Sequence, residues 1–171
     1  MNTAAKPDAV ALLKADHRKV EGLFASFEAA KGAGRKRALA EQICMELTIH
    51  TQIEEDVFYP ACEGAVDEAL LREAYVEHDG AKVLIAEIEA GRPDDKYYDA
   101  KVKVLSEMIA HHVEEEEKRV EGMFSQARKA GLDMDDLGER MMAEKKRLSA
   151  TYKASGVPTP KTPTFEATTL R

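Results

Sequence analysis

Two segments of this chain repeat one pattern, His50-Thr51-Gln52-Ile53-Glu54 and His112-Val113-Glu114-Glu115-Glu116. On an α-helix a spacing of four puts both side chains on one face, one turn apart. The flanking residues supply that helix. The stripe Ala40, Ile43, Leu47, His50, Glu54, Val57, Phe58 steps by three and four, and so does Val102, Leu105, Ile109, His112, Glu116, Val120, Met123. An imidazole and a carboxylate therefore lie on each of two otherwise apolar faces. A bare carboxylate there is expensive or takes up a proton. A metal cation removes that problem by supplying the opposite charge.

Four long helical segments are predicted, and each brings one inward histidine. The first runs from about Asp8 to Ala30, with stripe Val10, Leu13, His17, Val20, Phe24, Phe27, and ends at Lys31-Gly32-Ala33-Gly34. The second runs from Arg35 to Tyr59 and is followed by Pro60 and Gly64. The third runs from Val66 to Ala90, with stripe Leu71, Tyr75, His78, Ile85, Ile88, and Gly91-Arg92-Pro93-Asp94 breaks it. The fourth runs from Asp94 to Ala130 and stops at Gly131. The expected class is all-α, a four-helix bundle over residues 8–152. A short fifth helix over Met134 to Tyr152, capped by Asp133, packs across the bundle end or contacts another subunit. Residues 1–7 are expected to be a flexible N-terminus. The tail 153–171, rich in proline and threonine, is expected to be mostly disordered or ordered only by packing on a partner.

Four imidazoles and two carboxylates are too many for one tetrahedral zinc. Nitrogen is too abundant for calcium or magnesium. The mixture suits iron or manganese. If Glu54 and Glu116 both bridge, each of two metals takes two histidines. Positions then stay open for a bridging oxide or hydroxide and for a small exogenous ligand. The candidate ligands are His17, His50, Glu54, His78, His112 and Glu116. His111 points off the stripe and reads as exposed or flanking, and Glu114 and Glu117 read as a solvated face. Metal-bound histidines usually donate their second N–H to a carboxylate or carbonyl. Glu21 and Glu46, one turn from His17 and His50, are candidates. Asp16 and Asp79 are expected to face solvent, and Lys82 to pair with a carboxylate or snorkel outward.

Asp16-His17, His50-x-x-x-Glu54-Glu55 followed by Phe58-Tyr59-Pro60, Glu77-His78-Asp79 and His112-Val-x-x-Glu116-Glu117 together resemble the hemerythrin-like family, the HHE cation-binding domain. The resemblance covers roughly residues 8 to 150. It implies an up-down-up-down bundle, a non-heme site of two iron ions, and chemistry with oxygen, nitric oxide or peroxide. Oxygen-carrying hemerythrins place a second histidine one turn along the third helix, where this chain has Lys82. The remaining four histidines and two glutamates resemble the cluster-repair and stress-response branch. Tyr75, one turn before His78, could coordinate iron, hydrogen-bond to a bound ligand, or be a core tyrosine; Tyr59 could play the same part.

The formal net charge of −7 argues against nucleic acid and anionic membrane as partners. No apolar run approaches the roughly 20 residues that cross a bilayer, and Met1 to Asp8 lacks the apolar core of a signal peptide. A cytoplasmic monomer or homodimer is expected, with Cys44 and Cys62 as reduced thiols. Three functions compete: a di-iron protein that binds or consumes O2, NO or H2O2 in stress defence, a non-catalytic oxygen or redox sensor or iron carrier, and a metal that merely locks the bundle.

Overall fold

Asp8 caps the first helix, accepting the Ala11 N–H at 2.8 Å. The computed structural model describes residues 6–165. Helix α1 spans Ala9–Ala29, α2 Ala33–Ile53, α3 Tyr59–Cys62, α4 Glu68–Ala90, α5 Tyr98–Glu117, α6 Met123–Lys129 and α7 Met134–Ser155. Gly32 makes the turn between α1 and α2 at φ 88, where a side chain would be strained. Asp67 and Asp133 cap α4 and α7 through the N–H groups of Leu70 and Asp136. No strand occurs among the described residues. None of the described helices is long and apolar enough to cross a membrane.

The four long helices close a ring: α1 packs on α2, α2 on α4, α4 on α5, and α5 on α1. This is the up-down-up-down bundle expected. Helix α7 lies along α1 and α2. Two elements depart from the predicted helices, and both shape the interior. Between α2 and α3 the chain forms one π-helical turn, Glu54–Phe58, and the Tyr59 N–H bonds to the Glu54 carbonyl, five residues back. The wider turn absorbs one extra residue and rotates everything after it. The fourth predicted helix does not run on to Ala130. It ends at Glu117, and the chain turns through Lys118–Gly122 before α6. A Cβ on Gly122 would stand 2.6 Å from the Glu116 carbonyl oxygen and close to the Lys118 backbone. Only glycine lets the chain fold back so near the end of α5. Val120, assigned to the inward stripe, is accordingly 63% exposed.

The apolar interior falls into two clusters. One gathers the ends of the bundle under α6 and α7, including Leu13, Ile53, Phe58, Tyr59, Met123, Phe124 and Met141. The other fills the opposite end, including Phe24, Ile43, Leu47, Ile85, Val102 and Leu105. Their boundary is crossed by the buried polar residues His17, His50, Glu54, His78, His112 and Glu116.

Residues 156–165 carry no regular helix, yet the Thr164 N–H and hydroxyl both donate to Asp79 of α4. A buried carboxylate needs donors, and the tail supplies two of them. The remaining tail residues and the first five of the chain lie outside the described residues.

Candidate metal centre

Helices α1, α2, α4 and α5 each deliver one histidine to the boundary between the two apolar clusters. The four rings form two pairs. His17 and His50 bring their Nε2 atoms to 3.1 Å, and His78 and His112 bring theirs to 3.2 Å. Glu54 Oε2 stands 3.3 Å from His50 Nε2 and 3.2 Å from His78 Nε2. Glu116 lies between the pairs in the same way, with Oε2 3.4 Å from His17 Nε2 and Oε1 3.5 Å from His112 Nε2. All six predicted site residues thus converge.

The outward nitrogens explain why every Nε2 faces inward. His17 Nδ1 is 2.7 Å from Glu117, His78 Nδ1 3.0 Å from Glu55, and His112 Nδ1 2.7 Å from Glu77. His50 Nδ1 faces Asp16 at 3.6 Å, at ion-pair range. A carboxylate at Nδ1 keeps the proton there and leaves the Nε2 lone pair free. Three of these carboxylates are themselves held by a cation: Glu117 by Arg18, Asp16 by Lys145, and Glu55 by Lys82. Glu77 instead meets the exposed ring of His111 at 3.3 Å.

The centre is built for positive charge. Both oxygens of Glu54 and Oε2 of Glu116 are buried with no hydrogen-bond partner. A carboxylate in that position is costly unless a cation answers it. Burial, and then the charge of Glu116, drives the Glu54 carboxyl well above its ordinary range. Burial pushes Glu116 the same way, but His112 and His17 overrule it and hold it well below. Burial lowers His50, and takes His78 down to about 4, so both are neutral imidazoles at neutral pH. His112 is the exception: burial lowers it, yet Glu116 and Glu77 raise it well above the ordinary imidazole value. A bound metal would displace that proton.

A model of the hemerythrin HHE cation binding domain matches residues 8–124. The chain belongs to the hemerythrin HHE family. It is similar to a protein called DNA nickase from Nostoc sp., at 29% identity over 106 residues, covering 62% of this chain and 30% of that protein. The chain thus spans less than a third of that relative's length. Its fold is similar to the crystal structure of a hemerythrin HHE cation binding domain-containing protein from Mycobacterium kansasii. The TM-score is 0.72 at 22% identity, over 88% of this chain and 95% of that one. The HHE family is one of cation-binding domains, and this cluster carries the donor groups for a metal.

Within this HHE domain the tyrosine at the centre is Tyr59. Its hydroxyl donates to Glu116 Oε1 at 3.0 Å and lies 3.1 Å from His78 Nε2 and 3.4 Å from His112 Nε2. Tyr75 is one layer further out, with its ring edge-on to Tyr59 at 5.1 Å. The π-turn causes the exchange, because it turns Tyr59 inward five residues after Glu54. The outer carboxylates also differ from those expected. Glu21 pairs with Arg18, and Glu46 with Lys19, away from the rings. Asp16 and Asp79 are buried at 8% and 1% exposure, not solvated. Glu117 is a partner of His17 and not part of a solvated face. Phe124, which the periodicity did not single out for the site, stacks on His17 with centroids 5.9 Å apart. Both cysteines are buried and free, and burial raises each thiol to about 12.

Proposed function

We propose that this chain is a non-heme di-iron protein that binds or consumes a small oxidant, O2, NO or H2O2, in oxidative or nitrosative stress defence. The placement of Glu54 carries the reading. His17, His50, Glu54 and Glu116 offer ligand atoms within 4.8 Å of one another, and so do Glu54, His78 and His112. One carboxylate belongs to both groups, which suits two ions and exceeds the needs of one tetrahedral zinc. Mixed imidazole and carboxylate ligation favours iron, which when bound supplies a redox change and open positions for a small ligand.

The chain's own residues prepare that site. Glu117, Glu55 and Glu77 fix three of the ring orientations by hydrogen bonds, and Asp16 faces the fourth. Tyr59 holds a proton beside Glu116, where it can be given or taken. Val20, Leu47, Ile109 and Val113 wall a space of about 10 Å³ beside the rings. That is close to the least that admits one water, which argues against any ligand of more than a few atoms. The net charge of −7 supports a partner set without nucleic acid.

The test is elemental analysis of protein purified without chelators from iron-fed cells. About two irons per chain are expected, with a sharp fall in His112→Ala. One zinc per chain, or no metal with the fold intact, would overturn the reading.

A further inference from the structure

Beyond Ser155 the chain crosses the groove between α2 and α4 and borders a partly open cavity of about 340 Å³. Thr51, Glu55 and Lys82 stand on the helix side, and Val157, Pro160 and Pro163 on the tail side. The crossing is pinned at its end. The Thr164 N–H and Oγ1 donate to Asp79 Oδ2 at 2.8 and 2.7 Å. The other oxygen, Asp79 Oδ1, accepts from Lys82 Nζ at 2.9 Å. Lys82 Nζ donates in turn to both oxygens of Glu55, at 2.7 and 2.9 Å. Glu55 Oε1 then accepts from His78 Nδ1 at 3.0 Å. A continuous line of hydrogen bonds joins the tail to one ring of the metal centre.

Of the four imidazole–carboxylate pairs, this is the one traced to the tail among the described residues. Those of His17 and His50 end at Arg18 and Lys145 on helices, and that of His112 reaches exposed His111. Three prolines between residues 157 and 163 reduce the freedom the segment loses on docking.

We propose that residues 156–165 are a strap that positions the metal ligand His78, with Thr164 as its latch and Asp79, Lys82 and Glu55 as the positioning residues between them. The proposal rests on the two-metal reading above. With the latch closed, Asp79 holds Lys82, Lys82 holds both oxygens of Glu55, and Glu55 fixes the ring. With it open, Asp79 loses two of its three donors and becomes hydrated. Lys82 then gains room to leave Glu55, and the His78 ring loses its anchor. The ion shared by His78 and His112 is weakened, while the one at His17 and His50 keeps its own supports.

The experiment loads the full chain with ferrous iron, counts the iron, and follows its release to excess ferrous chelator. Two variants open the latch: Thr164→Pro, which removes both donors, and a chain ended after Gly156. Circular dichroism checks that helix content is kept. In both, about half of the iron is expected to leave about tenfold faster or more than from wild type, and the other half at the wild-type rate. Thr164→Ser keeps both donors and is expected to match wild type. Release at the wild-type rate from both variants would overturn the latch. Equal acceleration of all the iron would overturn positioning of His78 in favour of general loosening. Wild-type protein that takes up no iron would instead overturn the two-metal reading beneath the proposal.

Discussion

Tyr59 and Glu116 come from opposite sides of the bundle and meet at 3.0 Å, the phenol donating to a carboxylate that is 1% exposed. Tyr59→Phe keeps the ring and deletes the donor, leaving Glu116 Oε1 short of a partner. In metal-free protein, the step of urea unfolding that melts the core around Tyr59 is expected to lose about 1–3 kcal/mol. Iron content is expected to stay as in wild type. Loss of most of the iron would show that the hydroxyl itself holds metal.

Glu77 is the support of His112 that has no lysine or arginine behind it among the described residues. Glu77→Ala is expected to weaken metal binding about 10–100-fold, measured by competition with a chelator. His111→Ala, at an exposed ring outside the buried set, is expected to change that affinity little. Equal losses in the two variants would place His111 among the residues that hold the site.

Asp8 gives a pH signature away from the metal. Burial raises its pKa, but the Ala11 N–H and Arg128 outweigh burial and hold it below its ordinary 3.8. A lowered folded value means stability present above the ordinary pKa and lost as pH falls through the folded one. Asp8→Asn keeps the cap acceptor and loses the ion pair with Arg128. It is expected to be less stable than wild type at pH 7, with the gap shrinking below about pH 4. A gap that persists undiminished at pH 2 would assign the effect to packing.

Gly122→Ala inserts a Cβ against the Glu116 carbonyl and the Lys118 backbone, atoms that cannot give way cheaply. The turn after α5 must open, and Glu116 sits at its start. Both thermal stability and iron content are expected to fall. Gly34→Ala, where a Cβ meets nothing within 4 Å, serves as the control.

Much of this was legible in the sequence because helical periodicity reports which residues share a face. The stripes placed His17, His50, His78, His112, Glu54 and Glu116 on inward faces, and the structure brings these six together. What escaped was whatever broke the period. The π-turn shifts the register by one residue, so Tyr59 enters the centre where counting in threes and fours favoured Tyr75. The glycine turn at Lys118–Gly122 cuts a stripe that reads unbroken through Val120. Asp16 and Asp79 neighbour His17 and His78 in sequence, and helical geometry alone sends them to another face. Their burial comes from α7 and the tail, which cover that face, and periodicity within one helix cannot report a cover supplied by another element.

The polar layer across the middle of the bundle also divides the interior into two dry cores, one under α6 and α7 and one at the opposite end. Each long helix runs through both, so the layer is where the two halves are coupled. With metal in place, ligand bonds from α1, α2, α4 and α5 would tie that layer together. Without it, the layer holds a carboxylate driven towards protonation and rings with no ion between them. Cooperative unfolding requires that neither half gain by melting alone. The metal-free protein is therefore expected to unfold in two steps, with probes in the two cores melting apart, and the loaded protein in one. In this bundle the metal would set the size of the folding unit as well as its chemistry.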